Sequence, residues 1–370
     1  MKDFFKKLVI SYLFFWARIV LAERRPRVVG VTGSVGKTTT KEAIAAVLTH
    51  PKAFPKVGLV SKASGNLNTE FGLPLAILGY VKAPTGLLSW LGLLAIVPLR
   101  ALGFVTVADY PNVLVLEYAA DQPGDITRLV GLAIPTIACV TAIGPAHLER
   151  FETIGRVGEE KGQLVRAVSP RGLVILAKDN QKTAALKRLS RAKTVLVAGR
   201  GVELSKGIAQ AVGSFFQLPK SVSSEALKHF VSLHGRLETI RVGTFTVFDD
   251  TYNANPLSME LALDTLAETT PKKRRRVAIL GEMLELGTAG PDYHRKVGKI
   301  ARAQADLVIG VGELARNYAG EHWFPTSTAT ADEILQFLKP HDFILVKGSR
   351  GVMMEKVVEA LRQGWKETHG

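Results

Sequence analysis

A single cysteine, Cys139 in the stretch TIACV, is all that the sequence holds. One thiol forms no internal disulfide, and at this position it reads as a small buried core residue. Aromatic residues make up only 7%. There is no zinc-finger spacing and no aromatic ribonucleoprotein motif, so nucleic acid is set aside as a partner. No internal repeat and no low-complexity tract occurs. Long apolar runs are also missing, since about 20 residues are needed to cross a bilayer. The nearest candidate, LVISYLFFWARIVLA from Leu8 to Ala22, is shorter and contains Arg18. It has no small-residue cleavage site after it, which argues against a secretory signal. Acidic residues are scarce as well: 33 against 48 Lys and Arg, for a net charge of +15. That balance suits nucleotides, phosphates or an anionic membrane surface.

What is present is enough apolar material for packed cores, at 47%, in 370 residues that suggest two or three domains. Lys2, Lys6 and Lys7 precede the Leu8–Ala22 run, and Arg24, Arg25 and Arg27 follow it. A helix of this kind either lies in a membrane interface or packs on the body of the protein. A second apolar stretch, GLLSWLGLLAIVPLRALGF from Gly86 to Phe104, also reads as helix although it contains Pro98 and Arg100. It is either interfacial or packed against the first.

Further on, NVLVLE, TIACVT, GLVILA and TVLVA are near-continuous apolar runs separated by helical patterns. Such strands belong to parallel sheets covered on both faces. From about Arg241 a second set begins with FTVFDD, RVAILG, DLVIGVG and FILVKG, which predicts a second α/β unit. PKKRRR, residues 271–276, reads as a solvated loop rather than a binding patch.

The stretch GVTGSVGKTTT, Gly30 to Thr40, departs from the common phosphate-loop spacing, because Val31 stands where that pattern has a glycine. Its setting still fits a nucleotide site. RPRVVGV before it is a buried strand, and after it Ile44, Val47 and Leu48 mark one apolar helix face. Strand, glycine turn and helix point backbone N–H groups at a phosphate. Lys37 would then reach the β- and γ-phosphates, and the Thr38 hydroxyl would ligate Mg²⁺.

Other segments are hard to explain as packing alone. SGNLNTEFG carries Asn66, Asn68 and Thr69; LEYAADQPGDI puts Glu117 at a strand's carboxyl end; AIGPAHLERF places His147 just after the next strand. GEEKGQL puts Lys161 on a helix, and HGRLE carries Arg236. DDTYNANP contains Asp250, Tyr252 and Asn253, and VKGSRG contains Lys347, Ser349 and Arg350.

Together with TGSVGKTTTKE and GEMLELG, these segments resemble the Mur ligase family, and within it the branch that adds D-alanyl-D-alanine. The resemblance covers Gly30 to about Asn180 and His234 to about Glu355. It implies an α/β fold: an apolar N-terminal helix (residues 1–25), a P-loop-type central ATPase domain with a mostly parallel sheet (26–238) and a Rossmann-like C-terminal domain (239–370). It also implies cytoplasmic, ATP-dependent ligation through an acyl phosphate, on a cell-wall precursor and D-Ala-D-Ala. Gly33, Ser34, Val35, Gly36, Lys37, Thr38 and Thr39 would hold the ATP phosphates with Arg236. Asp250, Tyr252 and Asn253 would border the nucleotide. Thr38, Glu117, His147 and Lys161 would hold two Mg²⁺, with Lys161 carrying CO₂ as a carbamate. Asn66, Asn68, Thr69, Lys347, Ser349 and Arg350 would meet the substrates.

Two departures stand out. Only 29 residues precede Gly30, where such ligases carry a UDP-binding domain. Between Gln181 and Leu233 the sequence is short and lacks the family's His-Asn pair. These leave room for a ligase acting on another or a lipid-linked acid at the inner membrane face. A non-catalytic nucleotide-binding module is disfavoured, because Lys37, Thr38, Glu117, His147 and Lys161 are all present.

Overall fold

The β-branched and aliphatic runs become the strands of two sheets. The computed structural model describes residues 2–63, 67–103, 109–230, 234–318, 320 and 322–369. By contacts these divide into one unit of residues 1–143 and 155–230 and a second of 144–154 and 231–370.

In the first unit the strands are β1 (Arg27–Thr32), β2 (Val60–Lys62), β3 (Val113–Glu117), β4 (Ile137–Val140), β5 (Leu173–Ala177) and β6 (Lys193–Val197). All pair in parallel, in the order β2-β3-β1-β4-β5-β6. Because side chains alternate along a strand, Val29 and Val31 of β1 point to one face. There they join Ile44 and Val47 of α2 (Lys37–Leu48) in a core that also holds Ile208 and Val212. Gly30 points to the other face, toward Tyr118 and Leu164. The chain runs from β1 to one side of the sheet through β2 and β3, then crosses to β4 on the other side. Open parallel sheets bind ligands at such a reversal, beyond the strands' carboxyl ends.

The second unit contains β7 (Glu238–Val242), β8 (Phe245–Asp250), β9 (Arg276–Gly281), β10 (Leu307–Val311), β11 (His322–Phe324) and β12 (Phe343–Lys347), in the order β11-β10-β9-β12-β8-β7. This sheet is parallel except for the β7–β8 hairpin. A two-residue loop, Gly243-Thr244, joins that pair, with Gly243 at φ 55°. Short hairpin loops of this kind need a positive φ, which glycine adopts without strain.

Helix α1 (Lys2–Arg24) buries Leu13, Ala17 and Val20 against the first unit. No helix among the described residues is long and apolar enough to cross a membrane. After α3 (Gly72–Ile77) comes α4 (Leu87–Ala101), which runs through Pro98. Proline has no N–H, so it leaves the carbonyl four residues back without its helical donor. That carbonyl belongs to Leu94, and the Tyr12 hydroxyl of α1 donates to it at 2.8 Å. The two apolar helices are thus fastened together at the helix's one weak point.

Candidate active site

The phosphate loop, Gly33 to Gly36, links β1 to α2. Gly36 sits at φ 78° just before the helix, and no side chain caps α2. The first N–H groups of the helix are therefore not satisfied by a capping side chain, which is the arrangement that attracts an anion. A Cβ on Gly33 would come within 1.9 Å of the Thr141 hydroxyl oxygen. That hydroxyl bonds the Val35 carbonyl, and the Ser34 N–H donates to the Ala142 carbonyl at 2.7 Å. The end of β4 thus latches the loop in shape. Lys37 folds back along the loop and donates from Nζ to the Gly33 carbonyl at 2.9 Å.

Glu117, buried at the end of β3, has both carboxylate oxygens engaged. The Thr38 hydroxyl donates to Oε2 at 3.0 Å, and Asn68 Nδ2 donates to Oε1 at 3.2 Å. Asn68 also accepts the Ala119 N–H with its backbone carbonyl, so its segment is tied both to the end of β3 and to the residues just after it. The exposed Thr69 offers its carbonyl to Leu73 at the start of α3. Asn66 lies outside the described residues.

Following α5 (Asp125–Leu132), α6 (Ile154–Ala167) carries Lys161, which is 3% exposed. Burial pushes its amine down to about 7; the charge of Lys37 acts the same way, and Glu160 and Asp121 oppose both. Glu160 accepts the N–H groups of Gly124 at 2.8 Å and Ile126 at 2.6 Å, and so pins α6 to the start of α5. Neither Glu160 nor Asp121 stands out in the sequence; the acidic pair within GEEKG was the available signal for the first.

The remaining residues lie in the second unit. His147 takes a left-handed backbone, φ 51°, and its Nδ1 is 2.6 Å from Glu285 Oε2. That hydrogen bond, with the histidine's charge, holds the Glu285 carboxyl below its usual range. GEMLELG was legible as a motif, but Glu285 within it was not. The Arg236 guanidinium lies 3.8 Å from the centroid of the Tyr252 ring. Asn253 is exposed and Ser349 is buried, the latter accepting the Leu284 N–H on its hydroxyl at 2.9 Å. Arg350 is exposed and pairs with Glu355 at 3.3 Å.

Asp250 and Lys347 sit directly opposite each other at the ends of β8 and β12, with Nζ 2.6 Å from Oδ2. Burial raises the Asp250 carboxyl, and Lys347, the first of the opposing influences, pulls it back down. Removing the lysine alone strands a buried acid. Lys347→Met should therefore destabilise the fold by about 3–5 kcal/mol in urea unfolding at neutral pH. The loss should shrink as pH falls, because a protonated Asp250 needs no counter-ion. An unchanged unfolding midpoint would show that the pair is not formed.

A strand, a latched glycine loop and an uncapped helix at the switch point of a parallel sheet, beside threonine and carboxylate oxygens, define a nucleotide-dependent α/β enzyme. The sequence profile of the Mur ligase middle domain matches residues 31–87 and 99–242, and that of the Mur ligase glutamate ligase domain matches 235–350. The chain belongs to the Mur ligase family; it is an ATP-dependent, ADP-forming ligase. It is 28% identical over 405 aligned positions to the UDP-N-acetylmuramoyl-tripeptide–D-alanyl-D-alanine ligase of Escherichia coli, covering 96% of this chain and 81% of that protein. It is 29% identical to the enzyme of the same name from Synechocystis, over 90% of this chain and 74% of that one. The MurF ligase of Thermotoga maritima, solved with ADP, superposes with a TM-score of 0.79 at 24% identity, covering 97% of this chain and 84% of that one.

Proposed function

We propose that the enzyme joins D-alanyl-D-alanine to the free carboxylate of a UDP-N-acetylmuramoyl-tripeptide, converting ATP to ADP and phosphate. The observation that carries this reading is the meeting of Thr38, Glu117 and Asn68 beside the phosphate loop. It joins the nucleotide loop to the segment expected to face the acid. The likeness to ligases named for this reaction supports it.

In this reading a carboxylate oxygen of the acid attacks the γ-phosphorus, the bond to the β-phosphate oxygen breaks, and ADP departs. The amine of the dipeptide then attacks the acyl carbon, loses a proton, and phosphate leaves. Lys37, Arg236 and the loop N–H groups from Val35 to Thr39 neutralise the phosphoryl charge. Asp250, Tyr252 and Asn253 border the nucleotide. Asn66, Asn68 and Thr69 face the acid. Arg350 faces the carboxylate of the dipeptide, and the buried Lys347 and Ser349 position that loop.

The donor set fits Mg²⁺, which prefers hard oxygen ligands. Thr38 and Glu117 would hold one ion; His147 and a Lys161 carbamate are the further Mg²⁺ ligands in this reading. When bound, such ions would supply positive charge that offsets the charge of the phosphates. The Glu285–His147 bond is the carboxylate–imidazole pairing that orients a metal-binding histidine. The depressed Lys161 amine suits carbamate formation, in which the neutral nitrogen bonds CO₂ and releases a proton.

The test is mass spectrometry of the products from ATP, UDP-N-acetylmuramoyl-tripeptide and D-Ala-D-Ala. The expected product is the acceptor plus the dipeptide less one water, with one phosphate released per bond. Phosphate release without that adduct would overturn the substrate assignment. Contact with a membrane surface through residues 1–25 and 86–104 is part of the proposal.

A further inference from the structure

Helix α1 has two different faces. Leu13, Ala17 and Val20 are buried, whereas Phe4, Leu8, Ser11, Phe15 and Arg18, spaced by three and four residues, form an exposed stripe. A solvent-facing helix stripe is normally polar; this one carries two phenylalanines and a leucine. Helix α4 repeats the pattern more strongly. Leu93, Val97 and Ala101 are buried, while Leu88, Leu91, Ala95, Leu99 and Leu102 run along the open side, with Leu88 83% exposed. No charged residue lies on that side. The helices pack side by side through Tyr12 and Leu94, so the two apolar stripes belong to neighbouring elements.

The surroundings are cationic. Lys7, Arg18, Arg24, Arg25 and Lys82 are exposed, and Glu23 is the only acidic side chain described in α1. Two copies meeting through this face would bring like-charged rims together. An anionic lipid surface complements them, and phenylalanine and leucine enter its acyl boundary.

We propose that the outward faces of α1 and α4 dock the protein peripherally on an anionic lipid bilayer, without crossing it. The site segment lies next to this face. Lys6 pairs with Glu70 at 3.1 Å and lies over the Phe71 ring, and Phe71 meets Trp90 of α4 edge-on. Two residues before Glu70 stands Asn68, bonded to Glu117. Docking therefore holds the acid-binding segment close to the lipid surface. That consequence, unlike the docking, rests on the ligase reading.

The test is co-sedimentation of the full chain with vesicles of phosphatidylcholine containing about one-third phosphatidylglycerol, and with phosphatidylcholine alone. The expected result is at least about tenfold more protein bound to the anionic vesicles, falling at about 0.5 M salt. A Phe15→Glu/Leu88→Glu double variant changes only exposed side chains, so it should keep its melting temperature and lose about tenfold or more of the binding. Equal binding to both vesicle types, or full binding by the double variant, would overturn the proposal. So would a dimer in light scattering that the variant abolishes while the wild type ignores vesicles. Phosphate release with UDP-linked acceptor is measured in parallel on both proteins. Its absence with vesicle binding intact would count against the ligase substrate and leave the docking standing.

Discussion

Replacing Lys37 with alanine should lower ATP-dependent ligation by about 10²–10³-fold or more and leave the fold unchanged. The lysine donates to the Gly33 carbonyl of its own loop, and in the proposed mechanism it would supply charge at the phosphates. Losing one such preorganised group in a phosphoryl-transfer site costs on this scale. The fold should tolerate the change because Lys37 opens α2, where alanine is a good helix former. The check pairs phosphate-release kinetics with a thermal melt. Near-normal turnover by a folded Lys37→Ala protein would remove the phosphate-loop assignment.

Lys161 should separate activity from stability in opposite directions. Lys161→Met keeps most of the volume and removes an amine that burial holds near 7. Activity should fall by about 10²–10³-fold or more, since in the proposed mechanism the carbamate oxygens would be lost. Stability in CO₂-free buffer should rise. The sign follows from the depressed value: the unfolded lysine holds its proton up to about 10.5, the folded one only to about 7. Below pH 7 the fold bears the full cost of a buried cation. Between 7 and 10.5 the unfolded chain binds more protons, so wild-type stability climbs with pH. The variant's advantage should therefore be largest below pH 7 and vanish toward 10.5 in denaturant titrations. Lys161→Ala should recover part of its activity in added formate or acetate. Full activity in either variant would take the carbamate out of the mechanism.

The strands that were legible in the sequence were those buried on both faces. FTVFDD and RVAILG became β8 and β9 residue for residue, and NVLVLE and FILVKG became β3 and β12 with one end trimmed. TVLVA is displaced by one position in β6, an edge strand whose residues are partly or fully exposed and whose ends are set by pairing on one side alone. Three strands carried no signal. β2 and β11 are three residues long, at the edges of their sheets. β7, ETIRV, is a short edge strand with only two apolar residues, paired with β8 alone. At the site, the loop and Glu117 stood out because motif and strand end coincide, whereas Lys161, on a helix, stood out only through the family resemblance. Glu160 and Glu285 did not, because each acts on groups far away in sequence: the N–H groups of Gly124 and Ile126 for one, His147 for the other.

Gly30 lets two parts of the first unit approach β1 closely. A methyl group on it would come within 2.9 Å of Tyr118 and 3.2 Å of Leu164. Tyr118 follows Glu117 directly, and Leu164 stands one turn beyond Lys161 on α6. A side chain at this position would work as a wedge, levering α6 and the residue next to Glu117 away from the strand that bears the phosphate loop. The fit of α6 and of the residue next to Glu117 against β1 is thus gauged by a missing carbon.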